Sequence, residues 1–211
     1  HYSARDLSGK GACKASLQRE LGLPVRPDVP LVGMVSRLAD QKGVDLVVSA
    51  LPQIVLREAQ LVVLGTGSHA YEEAFRRAAA AHPAQIAARI GFDEGLAHRI
   101  EAGADVFLMP SRYEPCGLNQ MYSLRYGTVP VVRAVGGLED TVEDFDGWNR
   151  GTGFKFRDYA PSALLLALRR ALEAWRDQRA WRALVLRGMA QDVSWDRSAR
   201  GYEALYGTLA R

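Results

Sequence analysis

Short apolar runs alternate with amphipathic segments along most of the chain. The runs are LVGMVSRL (31–38), QLVVLG (60–65), IAARIG (86–91), DVFLMP (105–110) and VPVVRA (129–134). They are nearly continuous in apolar residues, as expected of strands covered on both faces, and each is followed by a segment with helical spacing. The pattern predicts an α/β fold with five parallel strands in a doubly wound sheet and right-handed crossovers.

Helical patterns also flank this central region. GKGACKASLQRELGLP precedes the first strand and ends at Gly22 and Pro24, whereas Pro161 begins the first of two helices after the last strand. The final segment, SWDRSARGYEALYGTLA, carries aromatic and leucine residues at spacings of three and four, which indicates an apolar stripe. We therefore divide the chain into a domain of residues 1–194 and a C-terminal helix of residues 195–211.

Composition narrows the possible partners. With 211 residues, 48% of them hydrophobic, the chain can bury the core of one domain. Its net charge of +3 is too small to indicate a nucleic-acid partner, and no run reaches the roughly 18 apolar residues of a membrane span. Cys13 and Cys116 match neither a disulfide framework nor a metal-ligand spacing, which is typical of the cytoplasm. The start at His1 favours a piece of a longer protein.

The loops after the predicted strands carry the candidate chemistry. Because the carboxyl ends of parallel strands meet along one edge, these loops line one crevice. SRLADQKG brings Arg37 and Lys42, GTGS (65–68) allows a ligand to approach the backbone, and SRYEPCGLNQ (111–120) leads into a helix. Cations and the free amides at a helix start, here residues 117–119, bind phosphate groups. The crevice is therefore a predicted phosphate site.

Each of these features also has an ordinary structural explanation. Arg37 and Lys42 are compatible with solvated surface, Phe92 and Cys116 with packing, and Glu114 with a helix cap. Neither a G-x-G-x-x-G fingerprint nor a Walker motif is present in the sequence. The common position of these residues on one edge of the predicted sheet is what favours a functional site.

A family resemblance adds to this interpretation. The chain resembles the C-terminal half of bacterial glycogen synthases and plant starch synthases in SRLADQKGVDLV, LGTGS, RGMAQDVSW and the long block GFDEGLAHRIEAGADVFLMPSRYEPCGLNQMYSLRYGTVPVVRAVGGLEDTV. The similarity runs from LQRELGLP to YEALYG, nearly the whole chain. It implies the GT-B glycosyltransferase architecture, in which two Rossmann-like domains enclose the active site and the C-terminal one holds the nucleotide-sugar donor.

The resemblance also implies roles for individual residues. Arg37 and Lys42 would bind the donor diphosphate and stabilise the departing nucleotide, and Glu114 would contact the transferred glucose. The other implied contacts with the nucleotide, sugar and phosphates fall on Gly67, Phe92, Cys116, Gly117, Leu118 and Asn119, with Phe92 packing on the adenine. No cofactor or metal is implied, because the donor is ADP-glucose, the product is ADP and cationic side chains serve the diphosphate.

The implied activity is retaining transfer of glucose from ADP-glucose to the non-reducing end of an α-1,4-glucan. The glucan would bind mainly to an N-terminal domain, so this chain would bind the donor but have little activity alone, in the bacterial cytoplasm or in a plastid. Many related transferases have a second glutamate at the position of Tyr122. The tyrosine found here matches the glycogen synthase pattern. Val135 stands where bacterial members often have threonine.

Two other functions remain under consideration. A non-catalytic module that binds nucleotide or glucan would carry the same site residues. A sugar-nucleotide epimerase of the same fold needs a cluster of carboxylates and histidine, and His69, His82 and His98 do not gather with carboxylates at the strand ends.

Overall fold

The computed structural model describes residues 1–147 and 150–209, which form one parallel sheet covered by helices. The strands are β1 (Leu31–Val35), β2 (Gln60–Gly65), β3 (Ile86–Ile90), β4 (Val106–Met109), β5 (Val129–Arg133) and β6 (Phe154–Phe156). They lie in the order β3-β2-β1-β4-β5-β6. The predicted α/β class and parallel sheet are confirmed.

Helices connect and flank the strands. They are α1 (Ser8–Glu20), α2 (Val44–Ile54), α3 (His69–Ala81), α4 (Glu94–Gly103), α5 (Asn119–Arg125), α6 (Gly136–Thr141), α7 (Pro161–Arg176), α8 (Gln178–Met189) and α9 (Trp195–Leu209). A 3-10 turn, Asp40–Lys42, precedes α2. Among the described residues, no helix is long and apolar enough to cross a membrane.

The sheet has one strand more than the apolar pattern predicts. β6 extends the edge next to β5, with Val131 paired to Phe154 and Arg133 to Phe156. Its three residues include a lysine, so the segment is too short and too polar to stand out as a buried run. Tertiary pairing with β5 therefore defines this strand.

Both faces of the sheet are buried, which explains the continuous apolar runs. Leu61 and Val63 of β2 belong to a core under α2, α3, α7 and α8, while Val62 and Leu64 belong to a second core under α1, α4 and α6. Successive residues of a strand point to opposite faces, so the central positions of β2, residues 61–64, are all apolar because both faces are covered.

The C-terminal helix differs from the other helices. None of the described residues of α9 is buried, and Trp195, Tyr202 and Tyr206 are among its exposed side chains. Residues 210 and 211 of the predicted C-terminal segment lie outside the described residues. The helical prediction is confirmed for Trp195–Leu209, and the division of the chain at residue 194 stays a prediction.

Candidate active site

The strand order reverses direction between β1 and β4, and this point positions the candidate site. β1 pairs with β4 through Val32 with Val106 and Gly33 with Phe107, so the loops after both strands leave the sheet side by side. Ligands of open α/β sheets bind in the crevice at such a reversal. The Arg112 amide donates to the Gln41 carbonyl at 2.9 Å, which holds the two loops together.

A cavity of about 440 Å³ opens beside this reversal. Arg37, Phe92 and Asn119, all predicted site residues, contribute to its wall. The Phe92 ring is 89% exposed, so it stands free at the rim and not in the core. The volume lies within the range of about 300–1,000 Å³ that is typical of small-ligand sites.

A smaller cavity of about 100 Å³ adjoins the first one at Asn119. Its wall contains Lys42, Glu114, Gly117 and Leu118. The Asn119 side chain donates to the Val35 carbonyl at 3.1 Å, which fixes the start of α5 against the end of β1. The structure therefore distributes the predicted residues over two neighbouring cavities, with Asn119 between them.

Lys42 and Glu114 form an ion pair inside the smaller cavity. Lys42 Nζ lies 2.6 Å from Glu114 Oε2, and the Ser111 hydroxyl donates to the same oxygen at 3.1 Å. Glu114 is only 6% exposed, so its charge needs these partners. An ammonium has three N–H donors, so the pairing leaves Lys42 able to donate to a further anion.

Arg37 occupies a more open position. Its guanidinium is exposed and donates from Nη2 to Gln41 Oε1 at 2.9 Å. The remaining N–H groups of the fork face no carboxylate in the described part of the chain. A planar fork of this kind suits paired phosphate oxygens.

The loop before α5 and the start of the helix contribute Gly117, Leu118 and Asn119 to the wall of the smaller cavity. The first backbone hydrogen bonds of α5 run from the amides of Met121 and Tyr122 to the Leu118 carbonyl. The amides before Met121 therefore have no carbonyl partner within the helix. Gly117 has φ 72°, and an added Cβ would lie 2.5 Å from Gln120 Oε1. The sharp turn that aims these amides therefore requires glycine.

Two predicted residues lie outside both cavity walls. The Cys116 thiol is exposed and lies 3.4 Å from the Gly117 carbonyl oxygen. Gly67 lies against the first crossover loop, where an added Cβ would be 2.4 Å from the Leu38 carbonyl oxygen. The position of Gly67 is that of a spacer between two loops, and the predicted ligand contacts of both residues stay predictions.

One face of α4 contributes cavity residues that the sequence pattern does not single out. Glu94, Ala97, His98 and Glu101 line the larger cavity, opposite Tyr122 of α5. Their spacing of three and four residues is the helical signal that would have revealed this face. Among the three histidines weighed for an epimerase, His98 therefore reaches the cavity.

Glu101 is the buried carboxyl group of this face. It is 3% exposed, and the Ser123 hydroxyl donates to its Oε2 at 2.6 Å. Burial raises the pKa of Glu101 from 4.5 to about 8, because desolvation disfavours the charged form more than Ser123 and Lys10 stabilise it. The wall of the larger cavity thus contains a carboxyl group that is mainly neutral at pH 7.

Comparison with known proteins defines the class. Residues 22–183 match the family model of the group 1 glycosyl transferases, and the chain belongs to this family. It is 77% identical over 209 residues to the glycogen synthase of Anaeromyxobacter sp. (strain Fw109-5) and 72% identical over 210 residues to that of Anaeromyxobacter dehalogenans (strain 2CP-1). These alignments cover 99% and 100% of this chain, and 44% of each relative.

A solved structure agrees with this classification. The catalytic domain of starch synthase IV from Arabidopsis thaliana, bound to ADP and acarbose, superimposes with a TM-score of 0.90 at 35% identity. The match covers 100% of this chain and 45% of that one. The resemblance to glycogen and starch synthases and the GT-B-type fold are confirmed, and the chain spans less than half the length of the relatives it matches.

Proposed function

We propose that this chain is the donor-binding half of an ADP-glucose-dependent α-1,4-glucan glucosyltransferase that retains the anomeric configuration. The observation that carries the proposal is the grouping of the Lys42–Glu114 pair, the amides before α5 and Arg37 around two adjoining cavities. Similarity to glycogen synthases and to a starch synthase bound to ADP supports the choice of substrate.

The two cavities suit the two parts of the donor. The larger one, with Phe92, His98 and Tyr122 in its wall, receives the adenosine, whose base packs on the aromatic rings. The smaller one, with Lys42 and the amides near Gly117, receives the diphosphate and the glucose. Asn119 lies where the cavities adjoin, beside the diphosphate.

Charge development during transfer explains the residue types. Breaking the anomeric C–O bond builds positive charge on the sugar ring and negative charge on the departing diphosphate. Lys42, Arg37 and the amides are preformed donors for that negative charge, so they stabilise the transition state more than the ground state. Glu114, paired at 2.6 Å with Lys42, aims the ammonium and presents its carboxylate to the sugar side.

The remaining parts of the proposal concern the whole protein. Cys116, Gly117 and Leu118 contact the sugar and phosphates through their backbone, Gly67 supports the nucleotide loop, and neither a cofactor nor a metal takes part. The glucan acceptor binds mainly to a second domain, onto which the α9 segment packs. We place the protein in the cytoplasm, in line with its bacterial relatives.

Titration of ADP into this chain tests the donor site. Replacing Arg37 or Lys42 by alanine removes a charge-assisted hydrogen bond, so each variant is expected to bind ADP more weakly by about 1.5–3 kcal/mol. Arg77→Ala, at an exposed arginine of α3 away from both cavities, is the control and should bind normally. Unchanged binding by both site variants would contradict the diphosphate assignment.

A second measurement separates an enzyme from a non-catalytic module. Adding the N-terminal half of a close glycogen synthase in trans should restore glucan elongation from ADP-glucose if the chain belongs to a transferase. Elongation should then be lost with Lys42→Ala. ADP binding without any restored elongation would favour the non-catalytic module.

A further inference from the structure

A separate cavity of about 410 Å³ lies between α1, the end of α7 and the start of α8. Asp105, which immediately precedes β4, contributes to its wall. The cavity is therefore at the amino-terminal edge of the sheet, opposite the crevice at the carboxyl ends of the strands. Its size falls in the range of about 300–1,000 Å³ that is typical of small-ligand sites.

Two indole rings belong to the apolar part of the wall, together with residues such as Leu7, Val25 and Val185. Trp175, at the end of α7, is partly exposed, and Trp181 of α8 is 5% exposed. The Lys14 ammonium lies 5.1 Å from the centre of the Trp175 ring, which holds that ring in place through a cation–π contact. The cavity thus offers rigid aromatic surface at little cost in side-chain freedom.

The polar part of the wall contains hydrogen-bond acceptors that still have capacity. Asp105 Oδ2 accepts from the Leu31 amide at 2.8 Å and forms an ion pair with Lys14 Nζ at 2.7 Å, while Asp105 Oδ1 has no hydrogen bond within the described residues. Lys14 therefore neutralises the charge of Asp105 through Oδ2 and leaves the other carboxylate oxygen, Oδ1, without a partner in the described part of the chain. The open oxygen can therefore accept a hydrogen bond from a ligand in the cavity.

A second acceptor in the wall is Gln18 Oε1, which is buried and has no partner among the described residues. Its orientation is determined by Gln60, whose Nε2 donates to two carbonyls and whose Oε1 accepts from Gln18 Nε2 at 2.6 Å. The amide of Gln18 is therefore not free to flip, and its oxygen is a buried acceptor that lies behind the surface of the wall.

Donors are present at the mouth of the same cavity. Arg182 of α8 is exposed and makes neither a hydrogen bond nor an ion pair within the described part of the chain. The buried Lys14 already pairs with Asp105, donates to the Val29 carbonyl and lies over the Trp175 ring, so Arg182 is the donor at the mouth. The wall thus combines donors, acceptors and aromatic rings.

We propose that this cavity binds a segment of α-1,4-linked glucan away from the site of transfer. A pyranose ring has an apolar C–H face that packs on indole, and its hydroxyl groups both donate and accept hydrogen bonds. A neutral sugar can donate to the open oxygen of Asp105, whereas a phosphate would place negative charge against this carboxylate, whose ion pair already occupies Lys14. The identity of the sugar rests on the proposed function.

Such a site would serve a polymeric acceptor. A glucan held at the amino-terminal edge stays near the enzyme between transfers, so its other chain ends meet the donor crevice at a high effective concentration. The inference therefore adds a contact between the donor-binding half and the glucan, besides the acceptor contacts proposed for the second domain.

Maltoheptaose is the probe for this cavity, followed by calorimetry and by the indole NMR signals of the chain. The sugar should bind in the absence of ADP and should shift the signals of Trp175 and Trp181. Trp175→Ala should weaken binding about ten-fold, the loss expected of an aromatic contact, and Trp175→Phe should weaken it less. Arg182→Gln, a surface change, should weaken it several-fold.

Controls separate this site from the donor site. Trp195→Ala, on the exposed α9, should bind maltoheptaose normally, and the cavity variants should keep the ADP affinity of the wild-type chain. Absence of maltoheptaose binding, or binding that Trp175→Ala and Arg182→Gln leave unchanged, would overturn the inference. Inorganic phosphate binding that depends on Arg182 would also overturn it. A chain that binds maltoheptaose but not ADP would refute the donor site alone.

Discussion

In the proposed donor site, Lys42 can serve the diphosphate only if its ammonium is correctly aimed, and the ion pair with Glu114 fixes its position. The pair lies at 2.6 Å with side-chain exposures of 23% and 8%, so its attraction is screened less than that of a surface pair. The Ser111 hydroxyl satisfies the same carboxylate oxygen. One carboxylate thus positions the cation and also borders the space proposed for the glucose.

The neutral carboxyl of Glu101 leads to a prediction about stability and pH. Its pKa is 4.5 when unfolded and about 8 when folded, so the folded chain retains a proton that the unfolded chain loses. The resulting stabilisation is fully present below pH 4.5 and is lost as the pH rises to about 8. Glu101→Gln cannot ionise, so its stability relative to wild type should increase with pH across this window, by at most about 1.4 kcal/mol per pH unit.

Urea unfolding at several pH values measures this difference. The groups facing the Glu101 carboxyl are Ser123 of α5, Lys10 of α1 and, more distantly, Tyr2. Burial lowers the pKa of Lys10 to about 8, so the destabilisation from charging it is fully present below that pH. Because an ionised Glu101 favours the charged form of Lys10, wild type and variant are compared below pH 8. Glu203→Gln, at an exposed site on α9, is the control. Parallel profiles for Glu101→Gln and wild type would contradict the assignment of a buried neutral carboxyl.

At the scale of elements, contacts between loops bring the two crossover segments to the donor crevice. The Leu38 amide donates to the Thr66 carbonyl at 2.9 Å, and the Ser68 amide donates to the Leu38 carbonyl at 2.8 Å. The Gly67 amide is held by Glu72 Oε1 at 3.0 Å. These bonds align the loop after β2 with the loop that carries Arg37.

Gly67→Ala should disturb this alignment. The added Cβ would approach the Leu38 carbonyl oxygen to 2.4 Å, and backbone on both sides limits relaxation. We expect a loss of about 1–3 kcal/mol in unfolding free energy together with weaker ADP binding. Gly201→Ala, in α9 with open space around its Cβ, should be neutral or slightly stabilising. Normal stability and ADP affinity for Gly67→Ala would show that the loops tolerate separation.

The elements also show how far sequence reasoning reaches. The central strands are predictable because burial on both faces leaves continuous apolar runs. The residues that the resemblance singles out, Arg37, Lys42 and Glu114, lie in the walls of the two adjoining cavities, and their roles stay predictions. The α4 face with His98 and Glu101 is not predicted, since it depends on how α4 rotates against α5. A position within a motif does not specify whether a residue lines a cavity, as Gly67 and Cys116 illustrate.

At the scale of the whole molecule, the two proposed sites occupy opposite edges of one sheet. The donor crevice lies at the carboxyl ends of β1 and β4, whereas the cavity with Trp175 and Asp105 lies at the amino-terminal edge. If both proposals hold, the sheet between the sites would keep a polymer anchored at one edge while transfer takes place at the opposite edge. Because the two sites share no residues, variants at one edge report on that edge alone.

The exposed C-terminal helix gives the last prediction. None of the described residues of α9 is buried, yet Trp195, Tyr202 and Tyr206 present a large apolar surface, which is unusual for a monomer unless a partner covers it. If α9 packs on a second domain, its surface is left open in this chain and promotes self-association.

A chain truncated after Ser194 should therefore elute as a smaller species in size-exclusion chromatography. Its ADP affinity and unfolding free energy should match those of the longer chain, because α9 contributes no buried residue to the core. An unchanged association state after truncation would contradict the role of α9 as an interdomain surface, while a large loss of stability would show that α9 belongs to the domain itself.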